Sequence, residues 1–186
     1  MANPRRDAFR SVNAPYAARI DGDMVVWDGI QPSPPPASVL RLESSVCPDV
    51  GLVKLHPGTK PPLFDFLKTH YKGVVIEVFG LGGVPASGRS VVPKIKELIE
   101  ADIAVAVTTQ CLEEDTDLSV YEVGRFAEDP SLIGTGDMTT EATVAKLMWA
   151  LGRTADPGEV KRLMETPMAG DRTEQPPEGD SPTNRI

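Results

Sequence analysis

From residue 50 onward, short runs of apolar, mostly β-branched residues alternate with segments whose apolar residues recur at helical spacing. "VGLVKL" (50–55), "GVVIEVFG" (73–80) and "DIAVAVTT" (102–109) read as strands. Near-continuous apolar runs of this kind belong to parallel sheets covered on both faces. Between the first two, Pro61 and Pro62 open a helix reaching Lys68 or Thr69, because proline is accommodated in a first helical turn. Val92, Ile95, Leu98 and Ile99 mark a second helix. "SVYEVGRFAED" (119–129) is a predicted third, and "SLIGTGD" (131–137) a short strand or turn. The strongest helical stripe follows, at Val144, Leu147, Met148 and Leu151, with Asp137 or Thr139 to cap it and Gly152 to end it. A last helix has Asp156 as N-cap, Pro157 at its first position, Glu159 at the capping-box position, and Val160, Leu163 and Met164 as its apolar face. This alternation predicts an α/β fold: a small three-layer domain with a short parallel sheet of about four strands flanked by helices and joined by right-handed crossovers.

The flanks follow different patterns. Residues 1–48 offer one short strand, Met24–Trp27, between turn residues, and then the proline-rich, extended linker "QPSPPPAS". The α/β pattern occupies 49–166. Residues 167–186 are so poor in aliphatic side chains that a disordered tail is predicted.

Charge narrows the ligands. The formal net charge is -8, the opposite of the basic surface that displaces counterions from a phosphate backbone, so nucleic acid is not an expected partner. No apolar run approaches the length of a membrane span and the first residues lack a signal-peptide core, which points to a cytoplasmic protein. Cys47 and Cys111 lie far apart with no CxxC pattern and no histidine at ligand spacing, so two free thiols and no metal are expected. No cofactor motif is present either.

The glycine cluster Gly80-Leu81-Gly82-Gly83 follows a strand and precedes a helix, the order of a phosphate-cradling loop. Pro85 supplies no N–H where a dinucleotide fingerprint needs one, and the helix starts only near Ser90. The glycines therefore serve a sharp turn, or close approach to a small ligand or a neighbouring subunit. His56 and His70 have no Ser, Cys or Asp at motif spacing and read as surface histidines. The acidic loop "CLEEDTD" (111–117) lacks the EF-hand pattern and reads as solvated. It nevertheless begins at the carboxyl end of a parallel strand, where open α/β sheets place ligands. Thr108, Thr109, Gln110 and Cys111 at that end can either read a small polar ligand or satisfy backbone groups. No nucleophile–base pair is visible.

Four stretches, "DAFRSVNAP" (7–15), "VVIEVFGLGGVP" (74–85), "VTTQCLEEDTDLSVYEVGR" (107–125) and "GTGDMTTEATVAKLMWALG" (134–152), together resemble the C-terminal half of the bacterial-type L-asparaginase family. The similarity is closest to its cytoplasmic type I branch, with its glutaminase and archaeal amidotransferase relatives, and spans roughly residues 7–166. The resemblance implies that a threonine nucleophile in a Thr-Gly-Gly-Thr turn, a second threonine with an aspartate, and a lysine come from an N-terminal domain. None of those motifs occurs in this chain, and residues 7–15 match the end of that domain. On this basis the chain is expected to be inactive alone and to act with an N-terminal half, encoded separately if the gene is split.

The resemblance further implies a C-terminal unit that forms an intimate homo-oligomeric interface. Its glycine loop would touch asparagine, or a similar small amino acid, in a neighbouring subunit's site. Many relatives use an asparagine for that contact; its place is Gly83 here, which leaves backbone groups of Gly82 and Gly83. Thr109, Gln110 and Cys111 match a stretch of the type I effector site, whereas an arginine of that pocket is replaced by Glu77. Tyr121 and Glu122 fall where interface contacts are expected. The alternative function is a non-catalytic module for small-amino-acid binding or dimerisation.

Overall fold

The computed structural model describes residues 11–27, 42–80, 83–84, 90–111 and 129–173. The chain divides into two compact units, Met1–Ser45 and Val46–Ile186.

The first unit contains an antiparallel hairpin, β1 (Ala18–Asp21) and β2 (Met24–Trp27). Sequence reading anticipated only its second strand. Gly22 takes a φ of 60° in the two-residue turn, a conformation glycine adopts without a Cβ penalty. The register sets Ala18 opposite Trp27 and Ile20 opposite Val25, with Arg19–Val26 and Asp21–Met24 as the alternate pairs.

The second unit is the three-layer α/β domain. Its order is β3 (Val50–Lys54), α1 (Pro62–His70), β4 (Gly73–Val78), α2 (Val92–Ile99), β5 (Ala104–Thr109), β6 (Ile133–Gly134), α3 (Thr140–Arg153) and α4 (Pro157–Glu165). The four strands pair in parallel in the order β3-β4-β5-β6. Alternate side chains enter two different cores. Val53, Val74, Ile76, Val78, Val105 and Val107 meet Phe64 and Leu67 of α1 and Ile95 and Leu98 of α2. Val75, Ala104, Ala106 and Ile133 meet Leu147 and Ala150 of α3 and Val160, Leu163 and Met164 of α4. The alanines lower the second surface, and a Cβ built on Gly73 would lie 2.6 Å from Leu151 Cδ1. The absence of that atom lets α3 sit directly on the start of β4.

The element ends have local causes. Thr139, not Asp137, caps α3 by accepting from Ala142 N–H at 3.2 Å. Gly152 does not stop this helix, which continues through Arg153; the Arg153 guanidinium lies 5.0 Å from the Trp149 ring centroid. Asp156 caps α4 through Glu159 N–H at 2.7 Å. The Glu159 carboxylate does not complete the capping box and instead grips Arg162. β4 stops at Val78 because Phe79 leaves the ladder to bridge Gly83, and β5 begins only at Ala104, after Asp102 turns the chain at φ 58°. Most of the predicted helix at 119–129 lies outside the described residues.

Residues 167–173 do not extend away from the domain, although composition alone assigns them to the tail. The Lys146 ammonium, buried on α3, meets the Asp171 carboxylate at 2.7 Å and donates to the Thr166 carbonyl at 2.7 Å. Arg172 donates to the Gly134 carbonyl, and Thr173 donates to Asp137 through both its N–H and its hydroxyl. No helix among the described residues is long and apolar enough to cross a membrane.

Candidate functional site at the carboxyl ends of the strands

Parallel pairing sends the ends of β3, β4 and β5 to one edge of the sheet. Residues far apart in sequence meet there, and the register decides which. Lys54, Glu77 and Thr108 form one row across the three strands, with Val78 and Thr109 in the next.

In the first row the Lys54 ammonium bonds the Glu77 carboxylate at 2.9 Å. The Glu77 side chain is 11% exposed and that of Lys54 63%, so an inner carboxylate is neutralised by a cation reaching in from solvent. Sequence reading singled out Glu77 but missed Lys54. The signal was available: once the two strands are aligned as parallel neighbours with Val50 opposite Gly73, Lys54 must face Glu77.

Thr109, Gln110 and Cys111 are brought together, and the first two are engaged with backbone. The Thr109 hydroxyl donates to the Gly80 carbonyl and accepts from Cys111 N–H. The Gln110 amide crosses β4 to donate to the Leu55 carbonyl at 2.8 Å, with a longer contact of 3.4 Å to the Glu77 carbonyl. Three strand ends are thereby stitched by two side chains. Cys111 is partly exposed and Cys47 buried, both as free thiols. Nearby, Thr135 donates to the Val107 carbonyl at 2.9 Å, fixing β6 against β5.

The glycine loop reverses tightly. Phe79 N–H donates to Gly83 O at 2.8 Å and Gly83 N–H to Phe79 O at 2.7 Å, while Gly80 takes a φ of 46°. The N–H of Gly83 is therefore committed inside the turn, and a Cβ at this position would stand 3.3 Å from the Phe79 Cβ. Gly82, Tyr121 and Glu122 lie outside the described residues, as does the acidic stretch 112–117.

The histidines take local roles. His56 accepts from Gly58 N–H at 3.1 Å in the turn after β3, and His70 stacks on Phe66 with ring centroids 4.1 Å apart. Among the described residues no group of three His, Cys, Asp or Glu side chains is placed to hold a metal ion. Among its described residues the edge thus offers backbone turns, one solvent-facing ion pair and one partly exposed thiol. That set can position and recognise a small polar molecule; it contains no nucleophile activated by a neighbouring base.

Comparison with known proteins gives this edge a context. Residues 49–164 match the model of the Glutaminase/Asparaginase C-terminal domain. The L-asparaginase of Thermococcus kodakarensis is 38% identical over 168 residues, covering 90% of this chain and 50% of that protein. A solved structure of the thermostable L-asparaginase from that organism superposes with a TM-score of 0.81, covering 91% of this chain and 51% of that one. A glutamyl-tRNA(Gln) amidotransferase polypeptide of Pyrococcus furiosus is 39% identical over 183 residues, covering 93% of this chain and 39% of that protein. L-asparaginase I from Vibrio cholerae, at 23% identity and a TM-score of 0.77, shares the fold. The chain spans half or less of the length of these curated relatives. The match to the amidotransferase polypeptide leaves over fewer residues than precede Ala18, so the β1–β2 hairpin lies inside it, ahead of the C-terminal domain.

Proposed function

Because the chain belongs to the glutaminase/asparaginase family, with that family's C-terminal domain at residues 49–164, we propose that it supplies the C-terminal half of an L-asparaginase-type amidohydrolase. Asparagine and water would become aspartate and ammonia. A threonine oxygen from the family's N-terminal half attacks the side-chain amide carbon and ammonia leaves, after which water cleaves the resulting ester. This chain closes the substrate pocket with its glycine turn. Gly83 holds the turn through its pairing with Phe79, so the substrate contact expected of the loop is assigned to Gly82. Thr109 and Gln110 keep the turn and the strand ends in register. The observation that carries the reading is the position of this stitched turn at the carboxyl edge of a parallel sheet, the ligand-binding edge of such folds.

On the same reading the protein acts in the cytoplasm as a homo-oligomer, with Tyr121 and Glu122 at an interface. The edge around Thr109, Gln110 and Cys111 receives a small-amino-acid effector. Effector recognition would differ from that of a pocket lined by arginine, since Glu77 brings a carboxylate already held by Lys54.

The test is ammonia release from asparagine, measured for the purified chain alone and with the N-terminal half of the Thermococcus kodakarensis L-asparaginase expressed as a separate polypeptide. No release alone and release with the half are expected. Turnover by the 186 residues alone would overturn the assignment of the nucleophile. A folded complex without turnover would favour the non-catalytic binding or dimerisation module.

A further inference from the structure

The turn between β6 and α3, residues 134–138, lies at the carboxyl edge of the sheet and is held from two sides. From inside, two hydroxyls fasten it to β5. Thr135 donates to the Val107 carbonyl at 2.9 Å and Thr108 to the Met138 carbonyl at 3.5 Å, and both threonines are fully buried. From outside, residues 171–173 hold it. Thr173 sets its N–H 2.8 Å from one Asp137 carboxylate oxygen and its hydroxyl 2.6 Å from the other, while Arg172 donates to the Gly134 carbonyl at 3.3 Å. Gly136 takes a φ of 60°, and a Cβ built there would lie 3.2 Å from Arg172 Nη2, so the guanidinium rests against bare backbone. The Lys146–Asp171 pair anchors the same segment one residue earlier.

Asp137 does not cap α3, a role that Thr139 fills; its carboxylate grips Thr173. We propose that Arg172 and Thr173 are positioning residues for the carboxyl edge: by fixing the turn at 134–138 they fix where β5 ends. The route is short. Thr108 is bonded to the turn, and the next two residues are Thr109, which donates to the Gly80 carbonyl, and Gln110, which donates to the Leu55 carbonyl. Loosening the strap therefore loosens the two side chains that hold the glycine turn and the strand ends. The consequence for catalysis rests on the proposed function: a slack edge closes less well on asparagine, whereas the reacting threonine, on the other half, is unaffected.

The double variant Arg172→Ala/Thr173→Pro removes all three bonds, since proline has no N–H, and keeps Lys146 and Asp171. Hydrogen exchange followed by NMR in the full chain reads the result. Exchange at the Gln110 and Cys111 amides, bonded to Val78 O and Thr109 Oγ1, should accelerate at least about tenfold more than exchange at Val74 and Val75, near the other end of β4. Arg172→Lys/Thr173→Ser, which retains each donor, should restore the native pattern. Acceleration by one common factor at all four amides would make the segment a general stabiliser and overturn the proposal, as would unchanged exchange at Gln110 and Cys111. In the complex with the N-terminal half of the Thermococcus kodakarensis L-asparaginase, the first double variant should raise KM for asparagine at least about threefold with kcat within about twofold. A fall in kcat at unchanged KM would overturn the positioning role. Without ammonia release from the native complex the proposed function falls, and the exchange pattern alone decides the strap.

Discussion

Replacing Asp171 by alanine would leave the Lys146 ammonium buried beside a single carbonyl. In the native chain that ammonium lies 2.7 Å from the Asp171 carboxylate, with the two side chains 6% and 20% exposed. At an effective dielectric of about 20 the gross attraction at this distance is about 6 kcal/mol, most of which offsets the desolvation of both ions. Removing one partner of a buried pair costs about 3–5 kcal/mol. The partial exposure of Asp171, and the freedom of 166–173 to peel away and admit water, bring the expected loss to about 2–3 kcal/mol. With a urea m-value of about 2 kcal/mol/M, the midpoint should fall by about 1–1.5 M. The double variant Lys146→Met/Asp171→Ala removes both charges and should recover to within about 1 kcal/mol of the native chain. Urea unfolding followed by circular dichroism measures all of these, with Lys146→Met alone completing the cycle. A midpoint shift below about 0.3 M for Asp171→Ala, or a double variant that loses the sum of the single losses, would refute the buried-pair account and leave the segment a surface strap.

Thr143 is fully buried in α3 and, among the described residues, its hydroxyl has no hydrogen-bond partner. Thr143→Val, which keeps the shape and removes the unmet polar group, should raise stability by about 1 kcal/mol in the same urea assay. Gln110→Ala releases the Leu55 carbonyl and should cost about 1 kcal/mol, accompanied by faster amide exchange at the ends of β3 and β4. Glu159 titrates below its ordinary value of 4.5 because Arg162 donates hydrogen bonds to it. The stabilisation it gives is complete above that ordinary value and is lost as the pH falls through the lowered one. The native chain and Glu159→Gln should therefore differ at neutral pH and converge in acid thermal melts.

The layer order was legible because it rests on periodicity. Apolar runs and helical stripes at Val74–Val78, Val105–Val107 and Leu147–Leu151 appear in the sheet and helices they predict. Features that depend on which strands are neighbours were not legible. Lys54 facing Glu77, and Gln110 reaching across β4, need the register before they need the residues. Composition misled at 167–173, where residues that suggest a tail are held by a buried lysine and by the bonds of Arg172 and Thr173. Gly152 misled for a simpler reason: a glycine ends a helix only where the chain turns left-handed, and here Arg153 packs over Trp149 and the helix continues. At the site, the sequence left Thr109 and Gln110 open between ligand and backbone, and their hydroxyl and amide prove to hold backbone carbonyls. Geometry alone had this information, because the carbonyls they reach are 29 and 55 positions away.

The Gln110 bridge also changes how the sheet edge responds to force. Without it, the ends of β3 and β5 would be joined only through β4, whose Glu77 and Val78 carbonyls accept from the Leu55 and Gln110 N–H groups. With a 2.8 Å bond from the amide to the Leu55 carbonyl, a pull on Cys111 is felt at Leu55, two strands away, with no intervening rearrangement of β4. The edge behaves as a stiff bar, and anything that seats against one end of it sets the angle of the other.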